Sequence, residues 1–99
     1  MYIHQVIGKA SSAADARQIC RLFEHSLSRV QEPGYARGFC AVNQADPLAV
    51  LIQEEWYNLA GLHSWEASEA YRQLQQSMHP LMEGVWEAVE YKGNAQGSA

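Results

Sequence analysis

Apolar and polar positions change period several times along the chain, and each change marks a new element. "YIHQVI" (2–7) is short and rich in residues that favour extended backbone, and it closes at Gly8, so it reads as a strand. A helix follows from about residue 12. Ser11 or Ser12 can accept from the free amides of its first turn, and Asp15 suits the positive helix end. Ala16, Ile19, Cys20, Phe23, Leu27 and Val30 then recur at three and four, with Arg17, Arg21, Glu24, His25 and Arg29 mostly off that stripe. "EPG" (32–34) ends the helix.

"YARGFCAVNQ" (35–44) and "LAVLIQEEWYN" (48–58) flank the turn signal "ADP" and read as a β-hairpin. Their apolar runs, 39–42 and 48–52, are consecutive rather than alternating, which predicts burial on both faces. A second helix carries Leu62, Trp65, Tyr71, Leu74 and Met78 and ends or kinks at Pro80. "GVWEAVEYKG" (84–93) is the last strand, with Val85, Ala88 or Val89, and Tyr91 on its apolar side, and "NAQGSA" (94–99) is a flexible tail.

The order βαββαβ, over one domain of residues 1–93, matches a ferredoxin-like α+β fold, an antiparallel sheet with two helices on one face. Two helices cover one face only. A second copy of the sheet is the simplest cover for the other, so a homodimer joined through the sheet face is expected.

Composition narrows the partners. Seven basic against eleven acidic residues give a formal charge of −4, and the arginines are scattered between acids, which argues against nucleic acid. No apolar stretch approaches the ~20 residues that span a bilayer, and "MYIHQVIGKA" lacks a signal-peptide pattern, so neither a membrane nor export is expected and the setting is cytoplasmic. Cys20 and Cys40, far apart and without C-x-x-C spacing, are expected as two reduced, buried thiols. His63 and Glu66 form an H-x-x-E pair and His4 stands alone; neither makes a metal site without a third partner, so no metal is expected.

The order Glu54, Trp56, Leu62, Trp65, Ser68, Tyr71, Leu74 within "EEWYNLAGLHSWEASEAYRQL" resembles the antibiotic biosynthesis monooxygenase family over most of the chain. The resemblance implies a dimeric α+β barrel and three kinds of activity: cofactor-free oxidation of phenolic polyketides, heme degradation, or processing of a small signal molecule. In polyketide-oxidising members an asparagine, a tryptophan and a tyrosine line a cavity between helices and sheet. Trp65 and Tyr71 match the last two; the asparagine position falls on Gly61, with Asn58 three residues before it. In heme-degrading members a histidine follows the tryptophan by ten residues. That position is Gln75 here, and His79 is a turn too late, so heme degradation is disfavoured.

The resemblance therefore implies an oxygenase without flavin, heme or nicotinamide, acting on a small electron-rich aromatic. Trp65, Asn58 and His4 would bind substrate, and His63 would act as base beside Tyr71. The plainer readings stand beside these: Trp65 and Tyr71 as core, His63 as a loop histidine, Trp56 as packing, and one of Glu54 and Glu55 turned inward to bond a loop backbone. A non-catalytic dimer that binds a small ligand or a partner protein through the same cavity is the alternative function.

Overall fold

The computed structural model describes residues 1–93, and the expected tail at 94–99 lies outside the described residues. Four strands, β1 (Tyr2–Ala10), β2 (Tyr35–Val42), β3 (Ala49–Trp56) and β4 (Met82–Lys92), and three helices, α1 (Ala13–Ser26), α2 (Leu59–Glu66) and α3 (Glu69–Met78), make up the fold. The sheet order is β2-β3-β1-β4 with every pair antiparallel, the ferredoxin-like arrangement the element order predicts.

Helix α1 starts where its cap predicts, with the Asp15 N–H donating to Ser12 Oγ at 3.0 Å. It ends earlier than expected, at Ser26, and a 3₁₀ turn (Leu27–Arg29) carries the chain on. Its stripe buries Ala16, Ile19 and Phe23 against Val50 and Ile52 of the sheet and Leu74 and Met78 of α3.

The second helix is two helices. Leu62, Trp65, Ser68, Tyr71 and Leu74 are three residues apart, and at 3.6 residues per turn such a ladder drifts by about 60° per step, so a straight helix cannot keep it on one face. The break falls at Ser68, whose hydroxyl donates to the Trp65 carbonyl (2.7 Å) and accepts from the Tyr71 N–H (3.2 Å), ending α2 and capping α3.

Strand β3 alternates strictly, with Val50, Ile52, Glu54 and Trp56 buried toward the helices and Ala49, Leu51, Gln53 and Glu55 only partly covered. Within one chain the hairpin therefore buries one face, not both. Strand β4 departs further from expectation. Ile7 pairs with Glu87 and Lys9 with Glu83, so Gly8 faces three residues, 84 to 86. This bulge turns Val85, expected in the core, out to 98% exposure, and half of Tyr91 is exposed as well. Trp86 takes the inner position instead, donating from Nε1 to the Lys9 carbonyl at 2.9 Å. Its ring lies over Gly8, where a Cβ would come within 2.2 Å of Cδ2, so only glycine admits it.

The cysteines also correct the sequence reading. Cys20 on α1 and Cys40 on β2 are joined as a disulfide, with Cα atoms 5.1 Å apart, and both are only partly buried. Twenty residues separate them in sequence, and only the packing of α1 over β2 brings them together.

Candidate functional site

The register sets one row of ionisable groups across the helix-facing side of the sheet. His4 on β1 pairs with Glu54 on β3 on one side and with Glu90 on β4 on the other. Helix α2 adds Glu66 above the row, its Oε2 3.4 Å from His4 Nε2, while His4 Nδ1 lies 3.9 Å from Glu90 Oε1. His4 is 6% exposed and Glu54 2%.

Glu54 sits among Trp56, Trp65, His4 and Glu66, and Trp56 Nε1–H donates to its Oε1 at 3.0 Å. Burial is the largest influence on its acidity and pushes the carboxyl above the usual glutamate value of 4.5, helped by the charge of Glu66 and opposed by the Trp56 bond and by His4. Burial likewise raises the Tyr71 phenol, with Glu54 and Glu66 adding to the rise, so Tyr71 stays protonated across the neutral range.

These groups border a cleft between α3 and the sheet. One part, of about 560 Å³, is bounded by Val6, Ile52, Glu54, Tyr71, Leu74 and Trp86. An adjoining hollow of about 570 Å³ shares Val6, Tyr71 and Trp86 and reaches His4 and Glu66. The first, more apolar part suits a flat organic molecule, with a titratable carboxyl in its wall.

The residues singled out in the sequence are placed as follows. Tyr71 borders both parts, and His4 borders the hollow. Trp65 packs with Trp56 and Leu62 and meets Tyr71 edge to face, ring centres 5.6 Å apart, so Tyr71 stands between it and the cleft. Its indole Nε1 is buried without a hydrogen-bond partner among the described residues. Asn58 caps α2, its Oδ1 accepting from the Gly61 N–H at 3.2 Å, and is not among the residues that border the cleft. His63 points outward with its side chain 57% exposed, 4.0 Å from Glu90. Gly61, where the resembling family has asparagine, is crowded: a Cβ there would lie 2.2 Å from the Pro33 carbonyl and 3.2 Å from the Trp56 ring.

Three residues in the cleft wall escaped the sequence reading. Gln75 and His79 stand out in the sequence only for their spacing from Trp65, and Trp86 carries no signal there, yet all three border both parts. One of Glu54 and Glu55 is expected inward and bonded to a loop backbone; the inward residue is Glu54, and it bonds an indole and faces the cleft. Its signal was present, since positions 50, 52 and 56 are apolar on the buried phase of β3 and a charge at 54 breaks that series.

No protein-family model matches the chain, and no curated protein sequence does. Solved structures do. SnoaB of Streptomyces nogalater, a cofactor-independent oxygenase, superposes with a TM-score of 0.78 at 10% identity, over 94% of this chain and 92% of its own. A candidate antibiotic biosynthesis monooxygenase from Deinococcus radiodurans gives 0.78 at 25% identity, over 95% and 93%. One from Nitrosomonas europaea gives 0.80 at 16%, over 94% and 98%. Over nearly its whole length, the chain has the fold of the antibiotic biosynthesis monooxygenase structures.

Proposed function

We propose that the chain is a small monooxygenase that oxidises an electron-rich aromatic in the cleft between α3 and the sheet, without flavin, heme or nicotinamide. The observation that carries this reading is Glu54, a buried carboxyl made more basic by its surroundings and facing an apolar cleft in a fold shared with a cofactor-independent oxygenase. A raised pKa brings a carboxylate closer to the strength needed to take a proton from an activated carbon or phenol, a contribution of roughly 10²- to 10⁴-fold for a positioned base.

For an anthrone-type substrate the steps balance without another reductant. Glu54 takes one C–H proton from the methylene flanked by the rings. The carbanion reduces oxygen by forming a C–O bond to give a peroxide, and loss of the second C–H proton with O–O cleavage leaves the ketone and water. Overall, R₂CH₂ + O₂ gives R₂C=O + H₂O. Trp86 and Tyr71 supply the walls, and Trp65 holds Tyr71 from behind. The base moves from His63 to Glu54 because His63 faces solvent, with His4 next in line.

The assembly we propose is a homodimer through the uncovered sheet face, where Ile7 and Val42 are partly exposed around a groove that Leu51 also lines. The crowding at Gly61 favours a second reading, a non-catalytic binder of the same small aromatics, since no asparagine stands there to orient oxygen or substrate. Incubating chelator-treated protein with anthrones and naphthols in air decides between them. Quinone formation with matching oxygen uptake, reduced at least ~10²-fold in Glu54→Gln, is the expected result. Binding of these compounds with no turnover above the protein-free rate establishes the second reading.

A further inference from the structure

The structure brings together the histidines and carboxylates that lay scattered in the sequence. His63 and Glu66 are three residues apart on α2, which sets them on one side of the helix. Glu66 approaches His4 at 3.4 Å, Glu90 approaches His4 at 3.9 Å, and Glu90 also faces His63 at 4.0 Å. One nitrogen of His4 and one oxygen each of Glu66 and Glu90 lie within 4.8 Å of one another.

Two features separate this cluster from an ordinary surface ion pair. His4 is 6% exposed and its Nδ1 is buried with no hydrogen-bond partner among the described residues, a state that buried polar nitrogens seldom keep. The separations are also too long for hydrogen bonds, which lie near 2.7–3.2 Å. Glu66 stands off Nε2 and Glu90 off Nδ1, and one cation takes only one ring nitrogen. The 3.4 Å between Nε2 and Glu66 matches the spacing of two ligands on one ion, since bonds of about 2.0–2.2 Å at a tetrahedral angle place neighbouring ligand atoms about 3.4 Å apart, and one oxygen of Glu90 completes a group within 4.8 Å.

We propose that His4, Glu66 and Glu90 bind one divalent first-row transition-metal cation of the zinc type, with the exposed His63 at its edge, 4.0 Å from Glu90. Mixed imidazole and carboxylate ligands suit such ions and not magnesium, which demands an octahedral oxygen shell. Glu66 and His4 also border the hollow beside Tyr71, so the cation sits against the cleft. The proposal stands independently of the oxygenase reading, because its readout is binding.

The test uses untagged, chelator-treated full-length protein titrated with Zn²⁺ and, separately, Mg²⁺ by calorimetry, with Co²⁺ absorption reporting the ligand geometry. One Zn²⁺ per chain, a rise in Tm on loading, and no binding of Mg²⁺ are expected. Glu66→Gln and Glu90→Gln, at partly exposed positions, should each weaken Zn²⁺ at least tenfold while keeping the native circular dichroism, and His63→Ala should weaken it less. No Zn²⁺ binding up to millimolar concentration overturns the proposal and leaves His4 as an imidazole between two carboxylates. Binding that survives both glutamine variants unchanged, or equal affinity for Mg²⁺, overturns it as well.

Discussion

Replacing Glu54 with glutamine removes a buried titrating group while keeping its size and an oxygen to accept from Trp56 Nε1. The folded-state pKa of Glu54 lies above the ordinary value of 4.5, chiefly because of burial. A carboxyl whose pKa is raised on folding contributes stability that is fully present below the unfolded pKa and is lost as pH rises through the folded pKa. Glutamine loses nothing over that interval. Glu54→Gln should therefore gain on wild type as pH climbs from about 4.5 and level off once the buried carboxyl is ionised. For one proton the slope is at most about 1.4 kcal/mol per pH unit. At roughly 4–8 °C of Tm per kcal/mol for a domain of this length, the difference should grow by at most roughly 6–11 °C per pH unit inside the window. His4, Glu66 and Tyr71 face the same carboxyl and are present in both proteins, so the difference curve, measured by calorimetry with chelator at fixed ionic strength, isolates the Glu54 contribution. A flat difference between pH 4.5 and 8 would refute the reasoning, and a variant that grows weaker with pH would show that His4 and the Trp56 indole hold the carboxylate ionised instead.

The remaining expectations concern other parts of the fold. Gly61→Asn should lower stability by about 1–3 kcal/mol or more, because its Cβ meets the Pro33 carbonyl, and should add no activity; native Tm with faster turnover would contradict this. Reducing the Cys20–Cys40 bond, or the double serine variant, should cost about 3 kcal/mol in urea unfolding; an unchanged midpoint would mean the bond constrains little. The dimer should bury on the order of 2,000 Å² in total, and Leu51→Arg should yield smaller particles in sedimentation; wild-type monomers at micromolar concentration with native circular dichroism would end that assembly. Trp86→Ala should weaken aromatic binding at least tenfold, read by fluorescence of the bound compound, whereas unaltered affinity would remove Trp86 from the site.

Much of the fold was legible because local chemistry and period agreed. The Ser12 cap, the α1 stripe and the hairpin all lie within reach of a few residues in sequence. The misreadings were of other kinds. The β4 bulge depends on Trp86 fitting over Gly8, nearly eighty residues away, which no periodicity along β4 encodes. The disulfide likewise depends on which helix covers which strand. At the site, Trp65 and Tyr71 were visible through a likeness, but that likeness could not tell which of them faces the cleft. The row Glu54–His4–Glu90 comes from three strands distant in sequence, and only the register sets it side by side.

The interruption at Ser68 also bears on how such a cleft can change its ligand. Six residues apart on an unbroken helix, Trp65 and Tyr71 would point about 120° away from each other; the joint turns them into an edge-to-face pair. A one-residue insertion or deletion at this joint would rotate α3 by about 100° against α2 and present a different side chain in place of Tyr71, while Trp65 and its packing stayed where they are. Length variation at one junction, without replacement of any wall residue, is then a way to pass from one ligand shape to another.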